Sequence, residues 1–299
     1  MCASHKSITQ PMTMSLFLLR LGVLVLALTQ SSACTIPPQH TNWSEKSDAL
    51  LAAQEKTAEQ VNAAPGMRKV IYAGFALHAG STAFQGDVTL VRDILRSINS
   101  QTSVLVLSNQ REHGDLVYPL GTKENVKKVI SNIARSADKN TLVVLLFTSH
   151  GSPNRIDIKL PMENTPLANL SDEELRNYLE DLGSIPTIIV LSACYSGSFL
   201  PALANQNRIL ITAASEDRAS FGCSSQSKAT YFIEEFFQHN FDASMSLAEL
   251  FSQASRQVAE REKEKKFPAS QPQIFVGKEM KRPAAVPLKD LLTKIEQKP

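Results

Sequence analysis

Five short runs in which Val, Ile and Leu stand on successive residues constrain this chain more than any other feature: Val70 to Phe75, Ser103 to Leu107, Leu142 to Thr148, Thr187 to Ala193 and Ile209 to Ala213. A strand that is apolar on both faces must be covered on both, which requires a mostly parallel sheet with helices above and below it. The intervening segments supply those helices. Val88, Val91, Leu95 and Ile98 fall at helical spacing, as do Val126, Val129, Ile130 and Ile133. A third helix opens near Ser171, where Ser171 and Glu174 form a capping box, and two more are predicted over residues 229–239 and 246–265. The alternating stretch Arg155 to Leu160 suits a surface hairpin strand. Pro272 to Val276 suits an edge strand, because proline cannot donate to a ladder. The fold class is therefore α/β.

The N-terminus follows different rules. Leu16 to Leu28 is apolar except for Arg20, is preceded by Lys6, and leads into the small residues Ser31-Ser32-Ala33. Charged, apolar and small-residue regions in that order form a secretory signal, assigned to residues 1–33. As a helix the apolar run covers roughly 20 Å, short of the ~30 Å hydrocarbon layer, so a permanent span is disfavoured. Ser31-Ser32-Ala33-Cys34 resembles the lipobox of bacterial lipoproteins, which implies lipidation of Cys34, a membrane anchor and a place in the bacterial cell envelope. Residues 34–66, with an Ala/Glu/Lys/Gln stretch closed by Pro65-Gly66, read as a tether carrying a weak helix. The folded domain is placed at 67–277 and a C-terminal tail at 278–299.

Charge excludes one class of partner. The leader carries only Lys6 and Arg20, so the chain's 31 basic and 29 acidic side chains become equal in number once it is set aside. No net field then draws nucleic-acid phosphate. Cys2, Cys34, Cys194 and Cys223 are too few for a disulfide scaffold, and no C-x-x-C pair suggests a metal.

Ligands of open α/β sheets gather at the carboxyl ends of the strands. Two consecutive strand candidates end in reactive side chains: LLFTSHG places His150 and Gly151 just past one, and IIVLSACYSG places Cys194 just past the next. A thiolate attacks a peptide carbonyl, an imidazole handles the proton, and backbone amides hold the oxyanion. Gly151, lacking a Cβ, lets its amide approach a substrate closely. That chemistry needs neither metal nor cofactor.

These residues carry a family resemblance. Ser149-His150-Gly151 followed by Ser192-Ala193-Cys194-Tyr195-Ser196-Gly197 resembles the caspase-fold cysteine peptidases, and among them the legumain family in its bacterial envelope branch, through FTSHGSP, LSACYSGSF and ITAASEDRASFGC. The resemblance spans about Val70 to Val276. It implies a caspase-like three-layer α-β-α sandwich with a mostly parallel six-stranded sheet, Cys194 as nucleophile, His150 as proton-transfer residue, and the Gly151 and Cys194 amides as oxyanion hole. It also implies a protein or peptide substrate cleaved through a thioester.

Asparagine-specific legumains carry Glu after the nucleophile where this chain has Tyr195, and an Arg-His pair near Ser81 to Gln85 that is missing here. Asparaginyl specificity is thereby disfavoured. Ser215, Asp217 and Arg218, on the loop where the family builds a wall of its P1 pocket, are substrate-binding candidates together with Tyr195. Cys223 follows that loop; in an oxidising compartment a loop folded over the site would admit a reversible disulfide with Cys194. Two alternatives share the same residues: a transamidase or ligase in which an amine resolves the thioester, and a non-proteolytic scaffold lipoprotein. An α/β-hydrolase is disfavoured by chain order, since its histidine follows the nucleophile.

Overall fold

Alternation along the strands sets the layers. In the computed structural model, which describes residues 42–239 and 241–295, a six-stranded sheet has the order β2-β1-β3-β7-β8-β9. Its strands are β1 (Lys69–Ala76), β2 (Ser103–Ser108), β3 (Thr141–Thr148), β7 (Thr187–Ser192), β8 (Arg208–Thr212) and β9 (Gln273–Val276). The first five are mutually parallel, and β9 closes one edge antiparallel to β8. A small antiparallel sheet of β4 (Gly151–Ser152), β5 (Arg155–Ile158) and β6 (Ala168–Ser171) stands directly after β3.

Side chains of one parity, among them Val70, Tyr72, Val144, Leu146, Val190 and Ile211, pack against α2 (Thr82–Ile98), α6 (Tyr231–Phe237), α7 (Leu247–Glu264) and α9 (Leu288–Thr293). Those of the other parity, including Ile71, Phe75, Val143, Phe147 and Ile189, face α3 (Lys123–Ser136) and α4 (Asp172–Leu179), with the short α5 (Leu200–Leu203) after β7. This is the expected three-layer α/β arrangement, and the strand pattern explains it because successive residues point to opposite faces. The Ser171–Glu174 capping box forms as predicted, and a second, Ser246–Glu249, opens α7.

Both ends of the described chain depart from the reading as tether and tail. The helix α1 (Trp43–Glu59) docks on the sheet: Leu51 is fully buried, and the Ser47 hydroxyl accepts the Leu120 N–H. Gln54 brackets the outer strand, accepting the Val106 N–H at 2.8 Å and donating to the Val106 carbonyl at 3.1 Å. A side-chain amide thus completes an edge that would otherwise offer unpaired backbone to another chain. At the other end, α8 (Lys281–Ala285) and α9 bury Ala284, Leu288, Leu291 and Leu292 in the core. Composition missed both because each helix buries only a few side chains, in a groove that the rest of the fold creates. The leader and Cys34 lie outside the described residues. No helix among the described residues is long and apolar enough to cross a membrane.

Candidate active site

The order β2-β1-β3 reverses direction at β1/β3, and the candidate residues stand at the carboxyl ends of β3 and of β7, its neighbour on the other side. Register brings the candidates together there. Thr148 on β3 pairs with Ser192 on β7, and His150 and Cys194 each stand two residues beyond. The Ser149 N–H donates to the Ser192 carbonyl at 3.2 Å, continuing the ladder past the strand ends. A Cβ built on Gly151 would lie 2.7 Å from the Cys194 carbonyl oxygen and 3.2 Å from Ala193 Cβ, so the two loops touch at a point that only glycine admits.

Neither reactive side chain is sealed off: His150 and Cys194 are both half-buried. The sulfur is surrounded by Ser220, whose N–H donates to it at 3.3 Å and whose hydroxyl stands at 3.9 Å, while the thiol faces the Ser220 carbonyl at 3.5 Å. Two donors of one residue thus lie against the sulfur. The His150 ring is held edge-on by His78, with centroids 4.6 Å apart, and by Phe84 at 5.1 Å. Burial lowers the His150 imidazole below its ordinary value, and the nearby Asp157 carboxylate partly opposes this. His78 is pushed down to about 4 by burial, then by the charges of His150 and Lys159. Its Nδ1 accepts the Gly80 N–H at 2.9 Å, so the neutral ring carries its proton on Nε2.

Two amides are free for an oxyanion. The Asp157 N–H donates to the His150 carbonyl, making those residues a hydrogen-bonded pair of the β4–β5 ladder; the adjacent Gly151–Ile156 pair is then non-bonded, and the Gly151 N–H faces away from β5. The Cys194 N–H meets no protein acceptor among the described residues. Its neighbour Tyr195 has φ 59°, a left-handed conformation held by its N–H to the Arg218 carbonyl at 2.7 Å. A bulky residue there is strained, and strain of this sort concentrates at functional turns.

Of the substrate-binding candidates, Ser215, Asp217 and Arg218 share the loop after β8, and Tyr195 stands beside Cys194 in the turn after β7. Arg218 and Ser220 bind the Cys194–Tyr195 turn through the contacts just given, and Gly197 N–H donates to the Ala214 carbonyl at 2.9 Å. Ser215 is buried, and its hydroxyl donates to Asp217 Oδ1 at 2.7 Å, which holds that exposed carboxyl low. Arg218 Nε stands 3.7 Å from the same oxygen. Cys223 is a free thiol, as is Cys194, and burial followed by the Cys194 charge pushes it up.

His78, Phe84, Asp157, Ser220 and Asp87 carry no sequence motif of their own. His78 obeys the strand-end rule already applied to His150, standing two residues past β1. Asp87 was visible as an acid within the apolar stripe of α2, where Ala83, Phe84, Val88 and Val91 are all buried. Ser220 and Asp157 reach the site through loop and hairpin geometry, which leaves no local pattern.

A half-buried cysteine and histidine stand at adjacent strand ends of a three-layer α/β fold, an arrangement suited to a cysteine peptidase. The sequence profile of the Peptidase C13 family matches residues 118–282, and the chain belongs to that family. No curated protein sequence matches it. Among solved structures it is similar to caspase-1 from Spodoptera frugiperda, with 12% identity and a TM-score of 0.49 over 73% of this chain and 89% of that one.

Proposed function

We propose that the chain is a cysteine endopeptidase acting through His150 and Cys194. The observation that carries this reading is the shared register of the two strand ends, which sets both side chains two residues past paired positions. The imidazole takes the thiol proton. The thiolate then attacks the scissile carbonyl carbon, and the oxyanion is received by the Gly151 and Cys194 amides. Collapse of this intermediate expels the amine, which leaves with the proton from His150, and water resolves the thioester to carboxylic acid and free thiol. Ser215, Asp217 and Arg218, with Tyr195 beside them, line the substrate's approach. With its signal and a lipidated Cys34, the enzyme works on protein or peptide substrates in the bacterial cell envelope.

The test pairs a thiol-directed probe with a peptide library of varied P1 residue. Labelling of Cys194 should vanish in His150→Ala, and peptide turnover should vanish in Cys194→Ala. Turnover by Cys194→Ala equal to the wild type would refute the nucleophile, and labelling indifferent to His150→Ala would favour a scaffold.

A further inference from the structure

Beneath the reactive pair lies a buried acid that the proposed chemistry does not use. Asp87, on α2, is completely inaccessible to solvent. Its Oδ2 accepts the Thr148 hydroxyl at 2.6 Å and the Thr230 hydroxyl at 3.0 Å, and its Oδ1 accepts the Thr230 N–H at 2.8 Å. Thr230 Oγ1 in turn lies 2.9 Å from the Ser192 hydroxyl. Since the Thr230 hydrogen is given to the carboxylate, Ser192 must be the donor in that last bond. One carboxylate therefore ties together Thr148 and Ser192, the paired residues two positions before His150 and Cys194.

The fold makes room for this arrangement. Gly86, next to Asp87, is so close to the segment before Thr230 that a Cβ there would fall 1.6 Å from the Lys228 carbonyl oxygen. Any other residue would push that segment off α2 and take the Thr230 N–H away from the acid. Removing a carboxylate from water is costly, and three hydrogen bonds offset only part of that cost.

We propose that Asp87 is a positioning residue whose ionised form locks the β3 and β7 tips together, and with them the His150–Cys194 geometry. This rests on the dyad reading given above. With a proton on Oδ2 the acid becomes a donor, one threonine hydroxyl must turn its hydrogen away, and the linkage to Ser192 can reverse. Burial pushes the Asp87 carboxyl up to about 7, so the locked form is lost on mild acidification. The titratable groups facing it are Tyr72 on β1, Glu234 on α6 and Cys223, all acids, and none supplies a cation to hold the charge.

Asp87→Asn mimics the neutral acid in size and in its added donor. The rate of Cys194 alkylation by iodoacetamide, separated from that of Cys223 by peptide mapping, reads the dyad without a known substrate. At pH 8.5 the variant should label about tenfold more slowly than the wild type, in keeping with a sub-ångström misplacement. At pH 5.5, where the wild type carries the same proton, the ratio should approach one. A purely structural role predicts a ratio independent of pH. Equal rates at pH 8.5, or a deficit that persists unchanged at pH 5.5, would overturn the proposal. If Asp87→Asn fails to fold, Ser192→Ala, which cuts only the link to β7, should slow labelling at pH 8.5, and a wild-type rate there would overturn it equally. His150→Ala separates the two failures: if it leaves labelling unchanged the dyad reading falls, whereas if it slows labelling while Asp87→Asn does not, only the role of Asp87 falls.

Discussion

Replacing Gly151 by Ala tests the contact on which the site is built. The new Cβ would lie 2.7 Å from the Cys194 carbonyl oxygen, where ordinary contact begins at 3.4 Å, so about 0.7 Å of separation must be found. Retreat in other directions is blocked by the Arg155 carbonyl at 3.1 Å and Ala193 Cβ at 3.2 Å. Overpacking of this kind costs about 1–3 kcal/mol. Against it stands a gain of about 0.4–1 kcal/mol from the stiffer unfolded chain, available because the glycine needs no left-handed backbone. The net loss of up to about 2.5 kcal/mol corresponds to a Tm lower by up to about 10 °C for a domain of this size. If Cys194 is the proposed nucleophile, its reactivity should suffer more: a shift approaching 1 Å at the sulfur costs on the order of 10- to 100-fold. Circular-dichroism melting and the rate of Cys194 labelling by iodoacetamide read the two effects separately. A variant as stable as the wild type that labels at the same rate would show that the two loops do not meet as described.

Two further outcomes follow from the same contacts. Asp87 titrates near 7 when folded but near 3.9 in an unfolded chain; the folded state thus holds a proton that the unfolded state releases between those values, and stability should fall by about 4 kcal/mol as pH rises from about 4 to 7. Urea denaturation across that range should show this component missing in Asp87→Asn, and parallel pH profiles for the two proteins would contradict it. Gln54→Ala removes both bonds to Val106 and uncovers the edge of β2, at a cost of about 1–2 kcal/mol. Its Tm should drop by about 2–8 °C, with light scattering revealing self-association, and an unchanged, monodisperse variant would deny the helix its capping role.

The strands were legible because burial on both faces leaves a local record: each residue of β3 is buried, so each had to be apolar or small enough to fit. The Ser171–Glu174 capping box was legible for the same reason, since its partners lie three residues apart. His150, Gly151 and Cys194 stood out because each follows such a strand. What could not be read was anything fixed by pairing distant segments. Asp87 meets Thr230 across 143 positions, and Gln54 meets Val106 across 52. Residues 43–59 are only weakly apolar, and their role depends on an open sheet edge that is itself a product of strand order.

By itself, then, the sequence determined a covered parallel sheet and placed a histidine and a cysteine at the ends of two of its apolar strands, because hydrophobic burial and chain reversal are imposed residue by residue. Only the tertiary structure decided that those strands are neighbours in matching register, that Ser220 and His78 complete the surroundings of sulfur and imidazole, and that a buried carboxylate joins the two tips. The reason is physical: hydrogen bonds and close contacts act over a few ångströms, and which groups come that close is settled by packing the whole chain.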